Sequence, residues 1–259
     1  MDYQNVDFST DGAVAKVTLH RPAELNAFNA PLREELLNAL QSAGDDPAIR
    51  AIVLGAEGKL FSSGADLNEA PTPGQSVEEL ILTEYAPILQ CLREVPKPVV
   101  AAVPGGAVGV AAAMVMACDL VVMADSGFMV VAYSNIGLVP DGGLSWQLLR
   151  YLGYQQAFQL IAEGGRLSAA ECADAGIANK VVAKDDVAEA AQRWAQSLAE
   201  RAPIALAQSK QLLRQAEAST YMDTVRQEAG VQNVCIASED SKEAIRAFME
   251  KRQAVFNGR

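Results

Sequence analysis

Two glycine-punctuated segments hold the residue types from which a backbone anion site can be made. Ser62-Ser63-Gly64-Ala65-Asp66-Leu67 follows the apolar run at residues 51–54, and Pro104-Gly105-Gly106-Ala107-Val108-Gly109-Val110 follows another at 99–103. Small side chains leave backbone N–H groups uncovered. If two such loops converge, two donors can meet one developing oxyanion, which is how carbonyl and enolate chemistry is commonly stabilised. On spacing alone each segment also reads as an ordinary turn after a strand. The chemistry these residues could do is acyl-group chemistry.

Other constellations are thin. His20 is the only histidine and stands at a strand end, a structural more than a catalytic position, so a serine–histidine–acid triad is not expected. Cys91, Cys118, Cys172 and Cys235 are widely spaced, with no C-x-x-C pair, and read as buried reduced thiols of a cytoplasmic protein; no metal site is expected. The segment 105–109 is not a G-x-G-x-x-G fingerprint, so a nicotinamide cofactor is not indicated. A net charge of −11 disfavours nucleic acid and anionic membrane as partners, because the protein's own field repels phosphates. The weakly charged stretch 98–124 is broken by Pro104, Gly109 and Asp119, and reads as strand, loop and helix rather than a membrane span. The polar start Met1-Asp2-Tyr3-Gln4 shows no secretory signal.

The elements that must position the two loops follow from periodicity. Ala13, Ala15, Val17 and Leu19 alternate with Val14, Lys16 and Thr18, as a half-buried strand does. Asn29 caps a helix that has Pro31 in its first turn and Leu32, Leu36 and Leu40 on one face. Residues 51–54, 99–103 and 120–123 read as buried strands, 77–94 and 110–117 as helices, and 177–182 as a last strand. This alternation is that of a sheet covered by helices. After about residue 184 only helical segments follow, to about Lys251, so the chain of 259 residues divides into an α/β core at 1–184 and a helical region at 185–259. Tyr221, Met222 and Val225, then Ile245, Phe248 and Met249, fall at helical spacings that suit an assembly surface.

The wording around the loops resembles a known family. His20-Arg21-Pro22-Ala23-Glu24-Leu25-Asn26-Ala27, Phe61 to Leu67, Lys97 to Gly105, Ala117-Cys118-Asp119-Leu120 and Ile136-Gly137-Leu138-Val139-Pro140-Asp141-Gly142-Gly143 occur in that order, with Phe248-Met249-Glu250-Lys251-Arg252 near the end. This is similar to the enoyl-CoA hydratase/isomerase family, also called the crotonase superfamily. The resemblance implies a spiral of ββα units with a C-terminal helical trimerisation region, assembled as a homotrimer or homohexamer. It implies an acyl-CoA thioester as substrate, with no cofactor beyond the coenzyme A that the substrate itself carries.

Carried over residue by residue, the resemblance places the two oxyanion N–H donors on Ala65 and Val110. Relatives mostly carry glycine where Val110 stands, a change of pocket shape more than of chemistry, because the donor is backbone. Ala23, Leu25 and Ala27, together with Ser63, Gly64, Ala65, Asp66 and Leu67, would line the coenzyme A site, with Gly106 in the second loop; Arg21, Lys210 and Lys251 are candidate phosphate contacts. The two glutamates of the family's hydratases fall on Ala113 and Tyr133, so the usual two-glutamate water addition is not open to this chain. Asp141 matches the single acid/base of the double-bond-shifting and ring-opening isomerases of phenylacetate catabolism, although Pro-Asp-Gly-Gly by itself is a turn. The resulting expectation is an enoyl-CoA isomerase with Asp141 as acid/base in a pocket of Ala113, Met114, Tyr133, Leu144 and Trp146. A hydratase using another acid and a non-catalytic acyl-CoA-binding paralogue are the alternatives.

Overall fold

The computed structural model describes residues 3–70 and 73–259, so Met1 and Asp2 of the polar N-terminus lie outside the described residues. The strands, in chain order, are β1 (Val6–Asp11), β2 (Val14–Leu19), β3 (Ala51–Ala56), β4 (Val99–Val103), β5 (Gly106–Val108), β6 (Leu120–Ala124), β7 (Phe128–Val130), β8 (Arg166–Ser168) and β9 (Lys180–Val182). The helices are α1 (Ala30–Asp45), α2 (Val77–Leu80), α3 (Ala86–Glu94), α4 (Val110–Ala117), α5 (Leu144–Ala162), α6 (Ala169–Asp174), α7 (Val187–Ala199), α8 (Pro203–Ala216), α9 (Tyr221–Ala237) and α10 (Glu239–Glu250).

A six-stranded sheet runs β1-β2-β3-β4-β6-β9, and a three-stranded sheet runs β5-β7-β8. Only β1 is antiparallel in the larger sheet. Both faces of that sheet are covered, which is why β3 and β4 are apolar throughout rather than alternating. Neighbouring residues point to opposite faces. Ile52 and Leu54 therefore join the main core with Leu36 and Leu40 of α1, while Ala51, Val53, Val100 and Ala102 meet Val187, Ala190, Ala191 and Ala195 of α7. The first helix after residue 184 is thus a layer of the core, and α8 to α10 follow outside it.

The spiral shows in how each turn touches the next. Each turn adds one strand to the large sheet and then a short extended segment beside it before entering a helix. These short segments stack: Phe28 bridges Ala65, Ser62 bridges Ala107, and β5 pairs with β7.

Local expectations are met with two refinements. Asn29 caps α1, its side chain accepting from the Leu32 N–H at 3.1 Å, and Leu32, Leu36 and Leu40 are buried. The helix expected over 77–94 is helical throughout but passes through a π-helical turn at Ile81–Tyr85. Pro87 in the next turn has no N–H for an i→i−4 bond, and the widened turn carries Tyr85 inward to 4% exposure. The strand expected over 177–182 forms only at Lys180–Val182, because the N–H groups of Ile177 and Ala178 both turn back to the Cys172 carbonyl, at 2.8 and 2.9 Å.

Candidate active site

The two glycine loops converge because they are hydrogen-bonded to each other. Phe61 N–H donates to Gly106 O at 2.9 Å, and Val108 N–H donates to Ser62 O at 3.0 Å. Gly64 makes the approach possible: its φ is +93°, and a Cβ there would lie 2.8 Å from the Val108 carbonyl oxygen. Gly106 is held bare by the Phe128 ring, 2.4 Å from where its Cβ would sit. Ala65 lies just beyond Gly64, and Val110 is the first residue of α4. Neither Ala65 nor Val110 gives its N–H to a backbone or side-chain acceptor among the described residues. Val110 N–H is also one of the orphan donors of a helix start, where the helix dipole favours negative charge.

Asp141 lies on the turn that packs against the start of α4. A Cβ placed on its neighbour Gly142 would lie 3.0 Å from Ala113 Cβ and 3.3 Å from Val110 Cγ2. Tyr133 Oη donates to Asp141 Oδ1 at 2.6 Å. The same phenol lies against Gly109, at 3.5 Å from where a Cβ would stand, so it spans from the acid to the residue preceding Val110. Burial lifts the Asp141 carboxyl above the ordinary aspartate value, and the Tyr133 hydrogen bond only partly opposes this. Burial, then the nearby Asp141 charge, raises Tyr133 too, so its phenol keeps its proton. Tyr85, pushed up to about 12 by burial, feels the same aspartate. A half-buried carboxylate with a raised pKa, on a turn packed against Val110, whose N–H has no acceptor among the described residues, can take and return a proton at a carbon adjacent to a bound carbonyl.

The remaining acids of this neighbourhood are engaged elsewhere. Arg33, 2% exposed, is held by Glu69 at 2.8 Å and by Glu84 at 2.8 Å. Burial works to raise the Glu84 carboxyl, but hydrogen bonds from Gln75 and Arg33 take it below the ordinary range. Glu79 is lowered by the backbone and hydroxyl of Ser76, which it caps. Burial pushes the thiols of Cys118 and Cys172 up to about 12, so neither is a ready nucleophile.

The segment expected to receive coenzyme A is knit to the first loop. Ala23 lies in a 3-10 turn, Leu25 and Asn26 take positive φ, and Ser63 N–H donates to Leu25 O at 3.0 Å. Asn26, 1% exposed, binds Arg21 N–H, Glu57 O and Leu60 O through its side chain. Ala27 is buried, whereas Leu25 and Leu67 stand exposed on the rim. Arg21 is occupied by the Ala27 carbonyl and by Asp66 at 3.3 Å.

Lys210 is not a free phosphate contact. Its ammonium, on a side chain 9% exposed, is spent on Leu92 O, Lys97 O and Asp119 Oδ2 at 2.9, 3.1 and 2.7 Å. Lys251 ends α10 in a left-handed conformation on the surface. His20 bridges Asp7 and Glu57 at 3.1 and 2.5 Å.

Of the pocket expected around Asp141, Ala113 and Tyr133 are in place. Trp146 carries Arg93 and Arg150 over its ring, their guanidinium carbons 5.0 and 3.4 Å from its centre, while Leu144 N–H donates to the Asp141 carbonyl at 3.0 Å and Met114, like Ala113, is fully buried. Sequence reasoning treated Tyr133 as a site lacking its acid and overlooked it as a donor, and it passed over Gln147, whose side chain reaches back to Ala113 O at 3.5 Å. No periodicity marks either residue. A lone polar group facing an apolar helix would have been the only signal.

Comparison with known proteins gives the family. The family described as enoyl-CoA hydratase/isomerase matches residues 9–259. A 1,2-epoxyphenylacetyl-CoA isomerase of Escherichia coli strain K12 is 35% identical over 254 residues, 95% of each chain. A probable enoyl-CoA hydratase of Rhodobacter capsulatus is 34% identical over 259 residues, 100% of each. The crystal structure of an enoyl-CoA hydratase from Polaromonas sp. JS666 superposes with a TM-score of 0.90 at 34% identity, covering 97% of this chain and 99% of that one. With residues 9–259 matched by the family and nearly its whole length shared with these relatives, this chain belongs to the enoyl-CoA hydratase/isomerase family and has the crotonase fold.

Proposed function

We propose that this protein is an enoyl-CoA isomerase that shifts a double bond along an acyl-CoA thioester, with Asp141 as its single acid/base. The observation that carries this reading is the desolvated Asp141 carboxyl beside Val110, at a place where Ala113 and Tyr133 supply no second carboxylate. From a β,γ-unsaturated thioester Asp141 takes an α-proton; the C–H pair becomes the second bond between the α- and carbonyl carbons, and the carbonyl π pair moves onto the thioester oxygen, held by the N–H groups of Ala65 and Val110. The dienolate then collapses as Asp141, whose proton can equilibrate with solvent, delivers a proton to the γ-carbon. The double bond moves, and no atom is gained or lost. Water addition needs a further group to place and deprotonate water, and Asp141 alone cannot hold both roles at once.

A panel of acyl-CoAs incubated in deuterated water and read by mass spectrometry tests the proposal. An isomer of unchanged heavy-atom composition, with exchange at the α- or γ-carbon, is expected. Asp141→Asn keeps the turn but cannot accept a proton, so exchange and isomerisation should fall roughly 100- to 10,000-fold with acyl-CoA binding retained. A product heavier by one water makes the protein a hydratase. Binding without exchange in the parent makes it an acyl-CoA-binding paralogue.

A further inference from the structure

We infer that Tyr133 is the positioning residue for the acid/base, holding one oxygen of Asp141 so that the other alone serves the acyl chain. This rests on the isomerase reading and adds a residue to it. Three observations converge. The phenol is 8% exposed and donates to Asp141 Oδ1 at 2.6 Å, while Oδ2 has no side-chain donor among the described residues. Its ring rests on Gly109, one residue before the Val110 donor, so the acid and an oxyanion donor are referenced to the same side chain. The carboxyl sits on a short glycine-rich turn, where besides Tyr133 only its own backbone N–H is directed at it, so Tyr133 is the one side-chain donor described that orients it.

Burial and the neighbouring charge keep the phenol protonated, so it is a constant donor and never a competing anion. The titratable groups facing Asp141 are Tyr133, on the turn after β7, and Tyr85, on the π-helical turn; Arg33 and Glu69 act on Tyr85 from behind. A hydrogen bond to the ionised carboxyl lowers its pKa, so its removal must raise the pKa further.

Tyr133→Phe keeps the ring against Gly109 and removes only the donor. Its kcat should fall on the order of 10-fold or more, because a loosely held base misses the attack geometry, with KM within about 3-fold of the parent. The acid limb of the kcat/KM profile should move to higher pH. In an Asp141→Asn background, Tyr133→Phe should cost no additional exchange activity, since the group it positions is gone. Placing 3-fluorotyrosine at position 133 alone, a stronger donor of nearly the same size, should move the acid limb the opposite way, and serves if the phenylalanine variant does not fold.

If Tyr133→Phe keeps the parental kcat and an unshifted limb while Asp141→Asn is inactive, the phenol is only a pocket wall and the inference is overturned. A rise in KM alone has the same meaning. If Asp141→Asn exchanges at the parental rate, the isomerase reading itself falls and takes this inference with it.

Discussion

At the scale of single residues, the site places a cost on Asp141 that should be measurable without any substrate. Its folded pKa is raised above the ordinary 3.8 chiefly by burial, so the folded state holds the proton to higher pH than the unfolded chain does. Stability is therefore lost as pH rises through the window between those two values, and at neutral pH the buried charge is a burden. Asp141→Asn, whose side-chain oxygen can still accept from Tyr133, should melt a few degrees above the parent at pH 7. The gap should close as pH falls towards about 4, the range of an unperturbed aspartate. Thermal melts across that range decide it: a gap independent of pH, or a less stable variant at neutral pH, shows that Asp141 is not a desolvated acid. That Asp141 is the candidate acid was legible from its sequence context. That it has a phenolic partner was not, because Tyr133 and Asp141 are joined through an irregular, glycine-bearing stretch with no repeat to read.

At the scale of elements, the two donor loops are held together by the stacking of short strands and by the bare backbone of Gly64. Gly64→Ala would put a Cβ 2.8 Å from the Val108 carbonyl oxygen at a φ of +93°, so the first loop must move away from the second. The donors then lose their common focus, and kcat should fall on the order of 100-fold, the scale of losing one oxyanion donor. Gly12→Ala is the control: its φ of +59° is also unfavourable, but nothing lies within 4 Å. It should cost about 1 kcal/mol of stability and leave kcat intact. Equal kcat in the two variants would show that loop spacing does not govern turnover. Element scale is also where buried charges declare their purpose. Asp119 accepts from Val99 N–H and pairs with both Lys210 and Arg214, which ties α8 to the end of β4. Lys210 was a plausible phosphate ligand only while its distance from Asp119 along the chain concealed the pair.

At the scale of the molecule, α9 and α10 leave Tyr221, Phe248 and Met249 exposed at 82%, 80% and 75%, with Met222 and Ile245 at 52% each. Faces of this kind usually meet another copy of the chain. Light scattering at micromolar concentration is expected to give a trimer or hexamer, and a monomer mass would remove that expectation. Among the described residues no helix is long and apolar enough to cross a membrane. The C-terminus is itself part of the packing: Asn257 and Gly258 N–H groups bind Asp240, and Arg50 donates to Phe256 O at 2.7 Å. Removal of the last few residues should therefore be felt in the core.

Some of this was determined by the sequence alone, because it is written in local patterns. The capped helix at Asn29, the apolar strands of a sheet covered on both faces, the small-residue loops and the lone aspartate each depend on residues within a few positions of one another. Tertiary structure decided what depends on distance in space. It turned Trp146 towards Arg93 and Arg150, spent Lys210 on Asp119, made α7 a layer of the core, and set the Tyr133 hydroxyl on Asp141 beside Val110. The physical reason is that periodicity reports which face of an element is buried, whereas a site is made where loops from successive turns of the spiral meet, and nothing in either loop encodes the other's position.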